Sequence, residues 1–98
     1  MMVGGLGQAQ PANEEIQGLV NQVKPQLATH APGHESKDLK AVSFRSQVVA
    51  GTNYFIKVHA GDQHLHLKVH KPLPHTGNPP ELSGVQAGKS HEDEVAFF

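Results

Sequence analysis

The sequence predicts an α+β fold, because one stretch with helical spacing of apolar residues is followed by several stretches in which they alternate. The chain has 98 residues, which is enough for one small domain but too few for two independent cores. We therefore expect a single domain over residues 1–98, in which the helix packs on the apolar face of an antiparallel sheet.

The N-terminal residues are rich in glycine, alanine and glutamine and carry little that could be buried. This composition predicts a largely mobile arm over residues 1–12, with one short extended piece near Val3. The regular apolar pattern begins only after this arm.

A helix is predicted to begin after Asn13, whose side chain can cap it, with Glu14 and Glu15 in the first turn, where the helix dipole favours anions. The apolar residues recur at i, i+3, i+4, i+7 and i+11: Ile16, Leu19, Val20, Val23 and Leu27. Pro25 interrupts this stripe, and a proline inside a helix costs about 3 kcal/mol. Because the last member of the stripe keeps its phase beyond the proline, we predict a kinked helix that continues to about Thr29.

Three strands are predicted after the polar loop HAPGHESKD. In the first strand one face carries Val42, Phe44, Ser46 and Val48, and the other carries Ala41, Ser43, Arg45 and Gln47. In the second, Tyr54, Ile56 and Val58 alternate with Phe55, Lys57 and His59. In the third, after a turn at Gly61 and Asp62, Leu65, Leu67 and Val69 alternate with His64, His66, Lys68 and His70.

The end of the chain is less regular. The stretch KPLPHTGNPPELSG contains four prolines and two glycines in fourteen residues, which predicts an extended loop and excludes a central strand. A last, weak strand is expected to involve the end of SHEDEVAFF.

Composition and charge exclude several classes of function. The net charge is −1 with neutral histidines and the charges are scattered, so the basic patch of a nucleic-acid or anionic-membrane binder is missing. The absence of cysteine removes disulfides, thiol catalysis and cysteine-ligated zinc. The N-terminus lacks the basic and apolar regions of a secretory signal, and no stretch approaches membrane-spanning length. A cytosolic protein is therefore expected.

No catalytic residue, cofactor or metal ligand is predicted. The serines lie outside any nucleophile-elbow motif, and no glycine-rich phosphate loop precedes a helix. Eight histidines suggest a metal site, with His64 and His66 on one strand face and His59 or His70 nearby. Alternation instead places these imidazoles on the solvent face of a half-buried sheet, and no carboxylate or cysteine completes a ligand spacing.

The segment QVVAGTN, residues 47–53, looks like a hairpin turn, yet two adjacent valines lead into it. In one interpretation, Val48 and Val49 split between the two faces of the strand, one buried and one exposed. In the other, QVVAG joins two further apolar segments rich in glycine or proline, MMVGG and KPLPH, in one continuous exposed edge. Such an apolar ridge on a small protein usually contacts a partner, and Gly51 would let backbone approach that partner closely.

The longer segment QVVAGTNYFIKV, residues 47–58, resembles the signature of the stefins, the family-1 cystatins, which are cytosolic inhibitors of papain-like cysteine proteases. The similarity extends to MMVGG and QPA near the start, EIQ and VKPQL on the helix, KAVSF before the signature, HLKV after it, and LP at residues 73–74. The resemblance implies the cystatin fold, in which a five-stranded antiparallel sheet wraps around one kinked helix.

The resemblance also implies an inhibitory wedge, made by the arm and two hairpins, that reversibly occludes the active-site cleft of the protease. Carried onto this chain, the implied protease-binding residues are Val3, Gly4, Gln47, Val48, Val49, Ala50, Gly51, Leu73, Pro74 and His75. The implied partners are papain-like cysteine proteases such as lysosomal cathepsins, bound by a cytoplasmic and nuclear monomer that tends to exchange domains by opening its first hairpin. The alternatives are a cystatin-fold interaction module without inhibition and a histidine-rich metal-binding protein.

Overall fold

The computed structural model describes residues 7–30, 38–49, 51–61 and 63–95. In chain order its elements are β1 (Gln10–Pro11), α1 (Glu14–Val23), a 3₁₀ turn (Lys24–Gln26), α2 (Leu27–His30), β2 (Leu39–Val49), β3 (Gly51–Ala60), β4 (Gln63–Lys71), a second 3₁₀ turn (Pro74–Thr76) and β5 (Glu81–Lys89). The strands form one antiparallel sheet in the order β1-β2-β3-β4-β5. The predicted α+β class, with five strands and one kinked helix in the arrangement of the cystatin fold, is confirmed.

The helix begins and bends where the sequence predicts. The side-chain oxygen of Asn13 accepts a hydrogen bond from the backbone N–H of Ile16 at 2.9 Å, which caps α1. Pro25 lies in the 3₁₀ turn between α1 and α2, because a proline cannot donate the next helical hydrogen bond. The helical path then resumes and ends at His30, one residue beyond the predicted end.

The core lies between this helix and the face of the sheet that packs on it, which we call the inner face. All five residues of the predicted helical stripe are buried. They contact Leu39, Phe44, Ile56, Val58, Ala60, Leu65, Leu67, Val69 and Leu82 in one cluster. The strand register produces this cluster, since Ile56 lies opposite both Phe44 on β2 and Leu67 on β4. Apolar side chains from neighbouring strands therefore form continuous rows under the helix.

An irregularity near the start of β2 changes the faces predicted for that strand. The register shifts between Ala41 and Ser43, so that Ala41 and Phe44 both pack toward the core. The side chain of Gln17 satisfies the backbone here, since it donates to the carbonyl of Leu39 at 2.9 Å and accepts from the N–H of Ala41 at 2.8 Å. The strict alternation predicted for this strand is wrong at its beginning, because the bulge absorbs one residue.

The C-terminal region also differs from the prediction. Strand β5 occupies Glu81–Lys89, which takes in the end of the predicted proline loop and comes before the predicted last strand. It forms there because Leu82 and Val85 lie opposite Val69 and Leu67 and so extend the apolar rows. Residues 90–95, which we call the C-terminal segment, contain no strand and run along the outer face of the sheet, away from α1. The last strand predicted at the end of SHEDEVAFF falls largely on residues 96–98, which lie outside the described residues.

Residues 7–12 follow β2 in the antiparallel direction. Gln10 and Pro11 lie opposite Phe44 and Ser43, and the N–H of Ala12 donates to the carbonyl of Val42 at 3.1 Å. The extended piece predicted near Val3 falls outside the described residues. The single domain over 1–98 and the mobility of the arm over 1–12 remain predictions.

Candidate functional site

Three large apolar side chains are exposed in the part of the chain that the structure describes. Val48 is 76% exposed, Val49 42% and Leu73 40%, and we call these three residues the apolar tip. The two valines end β2, and Leu73 follows the end of β4. The interpretation in which one of the valines is buried is wrong, because both side chains are exposed. Exposed apolar side chains gathered in this way are characteristic of a surface that contacts a partner.

Gly51 joins the two parts of the apolar tip. Its φ angle is 103°, in the left-handed region that favours glycine. A Cβ atom at this position would lie 2.5 Å from the carbonyl oxygen of Lys71 and 3.1 Å from the Cα atom of Pro72. The first hairpin therefore packs directly on the chain that leaves β4. This differs from the expectation that Gly51 serves backbone approach to a partner, since the close approach occurs within the molecule.

The second loop is a short turn that presents Leu73. The carbonyl of Leu73 accepts hydrogen bonds from the N–H of Thr76 at 3.1 Å and from its hydroxyl at 2.8 Å. Pro74 and His75 lie inside this turn, and His75 is exposed. The turn thus holds its backbone locally while Leu73 faces solvent.

The arm approaches the same end of the sheet. The N–H of Gly7 donates to the carbonyl of Ser46 at 2.8 Å, two residues before Val48. The guanidinium of Arg45 donates to the carbonyl of Gly7 at 2.8 Å, so the arm is held by a side chain as well as by backbone. The predicted site residues Val3, Gly4 and Ala50 lie outside the described residues, and their place at the apolar tip remains a prediction.

Gln47 occupies a different position from the valines that follow it. Its side chain is only 7% exposed, and its amide oxygen accepts a hydrogen bond from Asn53 Nδ2 at 3.2 Å. Asn53 in turn contacts the ring of His70, on the next strand, at 2.8 Å. The sequence analysis did not connect Asn53 and His70 with Gln47. The signal was available, because positions 47 and 53 are equally distant from the turn at position 50 and so must face each other in a regular hairpin.

The outer face of the sheet buries polar side chains that alternation had placed in solvent. Lys57 is 8% exposed and His66 is 1% exposed. The C-terminal segment covers them, since Lys57 donates to the carbonyl of His91 at 2.6 Å and Arg45 donates to the carbonyl of Val95 at 3.0 Å. The prediction of a solvent-facing row of histidines is wrong at His66, because an irregular segment without strand periodicity covers this face.

Electrostatics at this face favours neutral imidazoles. Burial lowers the pKa of His66, and the positive charges of Lys89 and Lys57 lower it further, whereas Asp93 raises it. Neither ring nitrogen of His66 has a hydrogen-bond partner among the described residues. Burial of an imidazole without an acceptor among the described residues favours its uncharged form.

A second group of histidines lies close to the turn between β3 and β4. The ring centroid of His64 is 4.9 Å from that of His59 and 5.6 Å from that of His91. Burial lowers the pKa of His64, and the neighbouring His59, His91 and Lys57 lower it further. Across residues 7–30, 38–49, 51–61 and 63–95, no group of three or more His, Asp or Glu side chains is arranged to hold a metal ion.

None of the helices described is long and apolar enough to cross a membrane.

Comparison with known proteins identifies the family. A model of the Cystatin domain matches residues 4–91. The chain is 48% identical to Cystatin-B of Macaca fuscata fuscata and 48% identical to Cystatin-A of Homo sapiens, in each case over 99 aligned positions that cover both proteins completely. It is 46% identical to Leukocyte cysteine proteinase inhibitor 1 of Sus scrofa, over all of this chain and 95% of that protein. From these matches along its full length, the chain belongs to the cystatin family.

Proposed function

We propose that this protein is a reversible, tight-binding inhibitor of papain-like cysteine proteases that acts by steric occlusion of the active-site cleft. The observation that carries the proposal is the apolar tip, in which Val48, Val49 and Leu73 are exposed on two loops that pack on each other at Gly51. Two further facts support it: the chain belongs to the cystatin family, and one relative is named a cysteine proteinase inhibitor.

The physical basis of inhibition is burial of the apolar tip in the protease without a reaction. The two loops carry apolar side chains into the cleft on either side of Gly51, and no peptide bond has to reach the catalytic thiolate. Because the loops already contact each other in the free protein, little conformational entropy is lost on docking. An interface of about 1,600 Å² in total is sufficient for tight binding when the surfaces are complementary.

The remaining predicted site residues complete this surface. Val3 and Gly4 extend the arm into the unprimed subsites, with Val3 as an apolar side chain and Gly4 as a pivot. Ala50 contacts the protease together with Val49, and His75 lies at the rim of the interface, where charge affects specificity and association rate more than total affinity. Pro74 restricts the second loop.

The partners and setting are part of the proposal. We propose lysosomal cathepsins as targets, encountered in the cytoplasm and nucleus by a protein that performs no catalysis of its own. The active form is the monomer. A dimer made by opening the first hairpin would straighten residues 48–51 and remove the apolar tip, so that isolated dimer should not titrate papain.

Titration of papain with this protein tests the proposal. Papain whose active sites have been counted should lose its activity linearly, with an end point at one inhibitor per active site, and should recover activity on dilution or competition. Activity that remains complete in a molar excess of the protein would contradict the proposal and would favour an interaction module that keeps the fold without inhibition. Protein isolated as monomer and as dimer by gel filtration serves as the matched pair.

A further inference from the structure

A row of polar side chains crosses three strands directly below the apolar tip. The strand register places Gln47 on β2 opposite Asn53 on β3, and Asn53 opposite His70 on β4. The side chains follow this register, since Asn53 Nδ2 donates to Gln47 Oε1 at 3.2 Å and His70 Nδ1 lies 2.8 Å from Asn53 Oδ1. We call Gln47, Asn53 and His70 the polar ladder.

The polar ladder connects the two loops that form the apolar tip. Gln47 immediately precedes Val48, and His70 is three residues before Leu73. The ladder lies on the outer face, whereas the contact of Gly51 with Lys71 and Pro72 is made by backbone. The relative position of the loops is thus held both by backbone packing and by side-chain hydrogen bonds.

The chemistry of the side chains determines which group donates and which accepts in each hydrogen bond of the polar ladder. The amide nitrogen of Asn53 is used toward Gln47, so its oxygen faces His70 and can only accept. His70 therefore carries a hydrogen on Nδ1, a condition that the Nδ1–H tautomer and the imidazolium ion both meet. Gln47 is 7% exposed, so its hydrogen bond to Asn53 lies in a mostly buried setting, where weakening a hydrogen bond is costly. His70 holds the Oδ1 side of the Asn53 amide, so its replacement releases the amide group that donates to Gln47 and loosens the residues that precede Val48.

We propose that Asn53 and His70 are positioning residues for protease binding, which act through Gln47 to hold the first hairpin in its binding-ready position against the second loop. This proposal rests on the proposed function, and it assigns to Gln47 a supporting role behind the apolar tip. A preorganised hairpin docks without rearrangement, so the ladder should contribute mainly to the lifetime of the complex with the protease.

Replacement of His70 tests the proposal. His70→Phe keeps an aromatic ring and removes the donor, and the dissociation rate of the papain complex should rise roughly three- to tenfold while the association rate changes by less than about twofold. His70→Gln supplies an amide donor of similar reach and should restore a dissociation rate close to that of the unaltered protein. His59→Phe makes the same chemical change at the other end of the sheet and should leave both rates unchanged. Equal dissociation rates for His70→Phe, His59→Phe and the unaltered protein would overturn the proposal.

A double-mutant cycle distinguishes a connected ladder from independent contacts. Asn53→Leu removes both hydrogen bonds, so adding His70→Phe to it should cause little further increase in the dissociation rate. Fully additive effects of the two replacements would contradict the ladder.

The free protein provides a readout that does not depend on inhibition. In His70→Phe, backbone amides of Val49 and Thr52 should exchange with solvent faster than in the unaltered protein, while amides of Ile56 and Leu67 in the core should not change. Unchanged exchange at the hairpin would overturn the ladder even if papain is inhibited. Faster exchange at the hairpin in a protein that never binds papain would support the ladder and contradict the proposed function.

Discussion

The apolar tip and the outer face of the sheet both depart from the usual placement of side chains. Apolar side chains are exposed at the tip, and polar side chains are buried on the outer face. At the tip, Val48 and Leu73 are left in solvent, where polar side chains are the usual choice. On the outer face, Lys57 and His66 are buried although alternation assigns them to solvent. The buried Lys57 is compensated by a hydrogen bond to the C-terminal segment, whereas the exposed valines have no compensation within the described structure.

This difference separates the surface that we propose for binding a partner from a surface that contributes to the stability of the fold. Exposed apolar side chains contribute little to folding, and a group of them on a small protein usually contacts a partner. Buried polar groups with hydrogen bonds hold two parts of the chain together, and their removal destabilises the fold. Changes at the tip should therefore alter protease binding at constant stability, and changes on the outer face should do the reverse.

The largest expected effect is a charge placed on the apolar tip. Val48→Asp should weaken papain binding by about 2–4 kcal/mol, because a carboxylate would be desolvated in a dry contact. Val49→Asp should also weaken binding, but less, since Val49 is less exposed. Inhibition constants and urea unfolding of both variants check this, with unfolding free energies expected to change by less than about 0.5 kcal/mol. A stability loss that matches the binding loss would contradict the division between the two regions.

The arm should have the next largest effect. Deletion of residues 1–4 should weaken binding to cathepsins more than tenfold, or more than about 1.4 kcal/mol, because Val3 would no longer be buried in the complex. The hydrogen bonds described for the arm begin at Gly7 and would be kept. Gly4→Arg is a matched variant that keeps the length of the arm and should also weaken binding. Inhibition constants that do not change would remove the arm from the mechanism.

On the outer face, truncation of Val95 should affect stability alone. Val95 is 4% exposed and does not belong to the main core cluster. Its backbone carbonyl accepts a hydrogen bond from Arg45. Val95→Ala should lower the free energy of unfolding by about 1–2 kcal/mol, because buried methyl groups are lost. Papain binding should remain within about twofold of the unaltered protein. Val48→Ala serves as the control. It should weaken papain binding and leave the free energy of unfolding unchanged.

The smallest expected effect is a pH dependence that originates on the outer face. The pKa of a histidine in the unfolded chain is near 6.5, and that of buried His66 is lower. Below pH 6.5 the unfolded chain therefore binds a proton that the folded protein does not, and the free energy of unfolding falls until the pH reaches the folded pKa. Above pH 6.5 the contribution of neutral His66 is fully present.

Urea unfolding at pH 7.5 and pH 5 measures this dependence. Between the two pH values, His66→Leu should lose less stability than the unaltered protein. His30→Leu, at an exposed position on α2, should lose as much stability as the unaltered protein. His64, whose pKa is also lowered, should account for part of the pH dependence of the unfolding free energy that remains in His66→Leu. If the unaltered protein and His66→Leu lose the same free energy of unfolding between pH 7.5 and pH 5, His66 does not couple protonation to folding.

The inner face could be predicted from the sequence because its packing follows regular periods. The helical stripe, the Asn13 cap and the kink at Pro25 depend on local chemistry, and each is found where it was predicted. The apolar rows of β3 and β4 follow from period-two alternation that matches the pleat of the sheet.

The outer face could not be predicted in this way because an irregular segment covers it. No period marks residues 90–95 as a cover for His66, and the hydrogen bonds that hold them join residues 34 and 50 positions apart. The bulge near Ala41 likewise depends on the side chain of Gln17, which comes from the helix. At the candidate site, resemblance supplied the residues, but the packing of Gly51 on Lys71 is a tertiary contact that no local pattern contains.

Hydrogen exchange of the one-to-one complex with papain tests most directly whether the apolar tip is the binding surface and the outer face is not. Peptides that cover residues 48–52 and 72–76 should be protected by the protease, whereas peptides that cover residues 57–60 and 90–95 should exchange as they do in the free protein. Protection of the outer face with unchanged exchange at the apolar tip would contradict this assignment.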